Sequence, residues 1–146
     1  MDESRPESCT FASLTVPSRV ESVRVAAAFL VQAAKDARVP LASDGLFEVA
    51  IVEALNNAVR HGNRAQRADA VIVCEVELAD QHLTVRILDQ GQGFAMPPRP
   101  RPEPALDDIM SIRESGYGIA IIQHVFPTVR TIWRADQFGL EMSLRI

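Results

Sequence analysis

Residues 70–89, AVIVCEVELADQHLTVRILD, contain two runs in which apolar and polar side chains alternate, joined by a short polar turn. Period-two alternation sends successive side chains to opposite faces of a strand, and two such runs around a tight turn predict an antiparallel hairpin. One face of that hairpin is almost entirely apolar, so other parts of the chain must cover it. A carboxylate interrupts this face. Leu83, Val85 and Ile87 share one side of the second strand, and Asp89 continues in phase with them. Burying a carboxylate bare is costly, so Asp89 is expected to be paired or hydrogen-bonded. Gly91 and Gly93 follow at once, and glycines permit positive φ and a close approach to the backbone. A plain turn explains D-x-G-x-G equally well when the motif is taken alone.

The covering elements are legible on either side. Thr10 to Val16 reads as a short strand. Val20, Val23, Ala27, Leu30 and Ala34 then recur on one face and predict an amphipathic helix over 18–38, opened by a capping box of Ser18 and Glu21 and closed by Pro40. A second helix is predicted from near Ser43 to His61, with Gly62 as the left-handed residue past its end. Residues 97–104 hold five of the nine prolines and fit neither sheet nor helix. SGYGIAIIQHVF opens a further helix, with Pro127 after it, and VRTIW and LEMSLRI form a last pair of strands. This order predicts one α+β domain over 1–146, a mainly antiparallel sheet with helices on one face.

The second helix carries an unusual stripe. Glu53, Asn57 and His61 recur at four-residue intervals and so share one face. Beside them Phe47, Ile51, Val52, Ala54, Leu55, Ala58 and Val59 form the arc that is expected to meet the core. Such a stripe suits either the wall of a partly buried pocket or a solvated edge. Further on, Gly116 and Gly118 fall in the first turn of a helix, where free N–H groups and the helix dipole favour an anion such as phosphate.

Composition removes several function classes. The net charge is −4, and the one basic cluster, Arg60, Arg64 and Arg67, has no interleaved aromatics, so no nucleic-acid binder is expected. The only lysine is Lys35, and no Gly-Lys-Ser/Thr sequence is present, which excludes a P-loop. No apolar run reaches the length of a membrane span. The polar, acidic N-terminus shows no secretory signal, and Cys9 and Cys74 lack metal-ligand spacing, so a cytoplasmic chain with reduced thiols is expected.

Taken in order, E-x-x-x-N, D-x-G-x-G and a G-x-G that opens a helix resemble the Bergerat-fold (GHKL) ATPases, the superfamily of gyrase and the histidine kinases. EALNNAVRHGN and the run into SGYGIAIIQHV make the chain similar to one branch, the bacterial anti-sigma factor serine/threonine kinases of partner switching, from about Phe11 to Ile146. The resemblance implies a two-layer sandwich of the histidine-kinase-like ATPase type, with 97–115 as an ATP lid. It implies a kinase that uses ATP and Mg²⁺, binds and inhibits a sigma factor, and phosphorylates a STAS-type antagonist on serine or threonine. Carried over by position, Glu53 would be the general base and Asn57 the magnesium ligand, with His61 shaping the pocket. Asp89 would accept from the adenine amino group, with Gly91 and Gly93 in the loop beside the base. Ser115, Gly116, Tyr117 and Gly118 would wrap the phosphates, and Arg24 would contact both protein partners. Relatives of this branch are often homodimers.

There are departures from the family pattern. Tyr117 stands between the lid glycines, where relatives carry arginine or an apolar residue. FPTV follows the last helix, where they commonly have an acidic residue. Gly139-Leu140 replaces their Gly-Thr. The hydroxyl missing at Leu140 leaves an alternative open, a partner-binding module that keeps the ATPase fold and transfers phosphate poorly or not at all.

Overall fold

The computed structural model describes residues 10–63, 68–94 and 118–146. In chain order these form β1 (Thr10–Pro17), α1 (Val20–Asp36), a 3₁₀ turn (Pro40–Ser43), α2 (Gly45–Asn63), β2 (Val71–Ala79), β3 (His82–Asp89), α3 (Gly118–Val125), β4 (Thr128–Arg134) and β5 (Gln137–Arg145). The strands make one sheet in the order β1-β2-β3-β5-β4, and every neighbouring pair is antiparallel. The three helices cover one face, as the alternation in β2 and β3 requires. Ile87 lies between Cys74 and Leu140 in register, and Val85 between Val76 and Met142. Both rows are buried in one core with Phe47, Ile51 and Leu55 of α2 and Leu30 of α1.

The β2–β3 hairpin turns on Asp80 and Gln81, both with positive φ (53° and 60°). Two left-handed residues match the right-handed twist of the flanking strands, which fixes the register. On the face away from the helices, the polar half of the alternation becomes a chain of ion pairs. Arg86 bonds Glu141 at 2.8 Å and Glu77 at 2.9 Å, Arg130 joins Glu141 at 2.6 Å, and Arg134 reaches Glu75. Opposite charges on neighbouring strands stabilise the pairing that brings them together.

Several local expectations change. No side chain caps α1, which begins at Val20 after Arg19, so the Ser18–Glu21 capping box does not form. Ser18 is buried instead, and its backbone N–H bonds the Ala70 carbonyl at 2.9 Å, tying the exit of β1 to the entry of β2. Val20, assigned to the inner stripe, is 69% exposed because it sits at the first helical position and turns outward. The helix stops before Pro40. Arg38 takes a φ of 61°, and the N–H groups of Arg38 and Val39 bond the carbonyls of Lys35 and Ala34. That is a Schellman closure with arginine at the position glycine usually holds. Asp44 caps α2 by accepting from the Leu46 N–H at 2.9 Å, which moves the helix start past Ser43.

Gly62 is the most informative of these corrections. It lies inside α2 and its φ is not positive. A Cβ there would stand 2.6 Å from Ser18 Oγ and 3.8 Å from the Asp89 Cβ. Glycine is required by the close packing of α2 on the β1–α1 junction, and not by backbone conformation. Gly62→Ala is therefore expected to lower stability by about 1–3 kcal/mol, as overpacking of a filled core does. Adding Ser18→Ala removes the colliding oxygen and should restore most of the loss in thermal melts. A double variant no more stable than Gly62→Ala alone would place the strain elsewhere.

Candidate functional site

Asp89 ends β3 on the helix-covered face with 3% of its surface exposed. Its Oδ1 accepts the Gly91 N–H at 2.7 Å. Burial pushes its carboxyl group up to about 6, against the pull of that hydrogen bond. No described residue donates to Oδ2. The loop that follows is shaped by steric necessity. A Cβ on Gly91 would run into the carbonyl of His61, so the loop lies directly on the end of α2. Gly93 has a φ of +80°, and the rings of Phe138 and Trp133 wall the place of its Cβ.

The stripe on α2 faces this loop. Asn57 lines a narrow cleft together with Ala54, Asp89, Phe94, Phe138 and Leu140. His61 stacks on Phe94, with centroids 4.6 Å apart and planes 22° from parallel. Glu53, one turn earlier, meets the start of α3: its Oε2 lies 2.7 Å from where Gly118 would carry a Cβ. All three are half-buried, and Asn57 lines the cleft, so the stripe is not a fully solvated edge. The cleft encloses about 10 Å³, room for roughly one water molecule.

Glu53, Asn57, His61, Asp89, Gly91, Gly93 and Gly118 thus converge from three elements that are distant in sequence. Ser115, Gly116 and Tyr117, and the 97–115 segment expected to form a lid, lie outside the described residues. Arg24 is exposed on α1 and does not line the cleft. Among the described residues no group of three His, Cys, Asp or Glu side chains could hold a metal, and no helix is long and apolar enough to cross a membrane.

Three rings of the site escaped the sequence reading. Phe94 packs edge-on against Phe138 at 5.2 Å, and Trp133 against Phe138 at 5.0 Å. Phe94 directly follows D-x-G-x-G, which is a usable signal. Phe138 enters because it pairs with Asp89 across β3 and β5, and Trp133 because it pairs with Phe138 across β4 and β5. Only the strand order reveals those neighbours.

Comparison with known proteins bears on the fold and the family. A family model described as "Histidine kinase-like ATPase domain" matches residues 16–145. Two anti-sigma F factors of Clostridium botulinum, from strains Eklund 17B / Type B and Alaska E43 / Type E3, are 34% and 33% identical over 76 residues. That segment is 52% of this chain and 52% of each relative, so the chain spans about half the length of the curated relatives it matches. The crystal structure of the RsbU and RsbW domains of a Mycobacterium tuberculosis protein shares the fold, with a TM-score of 0.55 at 18% identity over 93% of this chain and 32% of that one. With its sheet order, its motif-bearing elements and a family match over nearly its whole length, the chain belongs to the histidine kinase-like ATPase domain family.

Proposed function

We propose that the chain is an ATP-dependent protein serine/threonine kinase that acts as an anti-sigma factor, binding a sigma factor and phosphorylating a STAS-type antagonist. The observation that carries the catalytic half is that Asn57 and Asp89 line one cleft, while Glu53, one turn from Asn57 on α2, meets Gly118 at the start of α3. The likeness to anti-sigma F factors supports the partner half.

The residues present fit a nucleotide and its metal. Asp89 lines the cleft, and among the described residues the Gly91 N–H donates to its Oδ1; a base amino group would supply a donor to the other oxygen. Gly91 and Gly93 let the loop pack tightly against the end of α2 and the rings of Phe138 and Trp133, which holds it beside Asp89. Asn57 offers a single side-chain oxygen, which is enough for Mg²⁺, an ion that takes its other ligands from phosphates and water. ATP, when bound with Mg²⁺, supplies the phosphoryl group and the charge neutralisation that transfer needs. Glu53 holds its carboxylate beside the N-terminus of α3 and would accept the proton of a serine or threonine hydroxyl. Anion binding falls to backbone N–H groups and arginine, in keeping with a chain that has one lysine.

Arg24 is exposed on α1 and free of the cleft, which suits a partner-contact role separate from nucleotide binding. A homodimer and a cytoplasmic location belong to the same proposal. Leu140, buried in the cleft wall, favours the second reading of a module with weak transfer, because it adds no hydroxyl near Asp89. Incubation with labelled ATP and a candidate STAS-domain antagonist separates the two. Label on the antagonist supports the kinase, whereas a stable complex without label supports the module.

A further inference from the structure

Trp133 is the one tryptophan of the chain. Its surface is 63% exposed, although it occupies an inward register position on the edge strand β4, opposite Phe138. A tryptophan left open at the rim of a cleft calls for a physical reason. The ring meets Phe138 edge-on at 5.0 Å. Its Cζ2 lies 2.9 Å from where Gly93 would carry a Cβ, and Phe138 fills the same direction at 2.8 Å. Two rings therefore press on one α-carbon, that of the residue with a φ of +80° between Asp89 and Phe94.

That residue is the natural joint of the loop. A glycine at positive φ has access to backbone states closed to other residues, and it loses the most freedom when held in one of them. Phe94, next along the chain, stacks on His61 and lines the cleft, which encloses about 10 Å³. No base fits in that space. For a planar ligand to reach Asp89 through this cleft, a lining side chain has to move, and Phe94 alone of them stands on a loop. Phe138 is held within β5 and Trp133 within β4, whereas Phe94 stands on the loop directly after Gly93.

We propose that Trp133 is a positioning residue of the nucleotide site, which pins Gly93 so that Phe94 moves about a fixed joint when a base enters the cleft. The inference rests on the nucleotide reading given above. It makes the indole a sensor as well as a post, because movement of Phe94 alters the packing on Phe138 and the loop that Trp133 touches.

The test is a titration of the full chain with Mg-ATP, and separately with adenosine, followed by tryptophan emission and by calorimetry. The expected result is a saturable change in emission with the calorimetric midpoint. Trp133→Ala should weaken binding by about tenfold, the equivalent of losing one aromatic edge contact with its packing. Trp133→Phe should recover most of that affinity. If calorimetry shows binding while emission stays unchanged, or if Trp133→Ala binds as the wild type does, the positioning role is overturned. If the wild type binds neither compound, the nucleotide reading falls and this inference falls with it. The wild-type emission arm decides the matter even if Trp133→Ala does not fold.

Discussion

Glu53→Gln is expected to bind Mg-ATP as the wild type does and to transfer phosphate about 10²–10⁴-fold more slowly, the usual loss when a general base is removed. The substitution keeps the size and the contact with α3 while removing the proton acceptor. Its neighbour on the same stripe should behave differently. Asn57→Ala removes the one side-chain oxygen offered to the metal, so the Mg²⁺-dependent part of ATP binding should disappear. Calorimetry with and without Mg²⁺, set beside a single-turnover transfer assay, separates the two roles. Wild-type turnover by Glu53→Gln would assign the base to another group. Gly118 makes a second check possible. Alanine there places a methyl group against Glu53 Oε2, and displacing a reacting group by even about 1 Å can cost 10²-fold in rate. Gly118→Ala should therefore slow transfer while α3 gains helix propensity.

Asp89→Asn should move affinity and stability in opposite directions. The folded carboxyl group titrates near 6 against an ordinary value of 3.8. The native state thus holds its proton at a pH where the unfolded chain has released it. The contribution of this one group to stability is largest below about pH 4, falls as pH rises toward 6, and stays lower above that, by an amount on the order of 3 kcal/mol. Asparagine keeps an acceptor for the Gly91 N–H without the buried charge. The variant should therefore melt higher than the wild type at pH 8 and lose that advantage near pH 4.

Nucleotide affinity should fall by about ten- to a hundredfold, the cost of one charge-assisted hydrogen bond. The same physics predicts weaker ATP binding by the wild type below pH 6, because a proton on Oδ2 would face the base amino group donor to donor. Unchanged ATP affinity in Asp89→Asn would remove the residue from base recognition. An unchanged melting profile would mean that the charge is not buried as described.

The expected effects at Asp89 depend on two kinds of information. The phase of Leu83, Val85, Ile87 and Asp89 along one strand already puts the carboxylate on the inward face, because strand geometry is local and has period two. The stripe of Glu53, Asn57 and His61 is local in the same way, fixed by the helical repeat. Glycines after Asp89 and before α3 mark where the backbone must come close to something. Fold class and most of the site were therefore written in short segments.

What those segments met was decided by the tertiary structure. Gly62 looked like a helix terminator, because glycine commonly ends helices, yet its partner is Ser18, forty-four positions earlier in sequence. Ser18 in turn looked like a cap until Ala70 claimed its backbone and burial took its side chain. Phe138 and Trp133 entered the site only through the β3-β5-β4 order, a pairing that local alternation cannot specify. The elevated carboxyl group of Asp89 has the same origin. Desolvation is the summed effect of every element packed around a group, and no single stretch of sequence contains that sum.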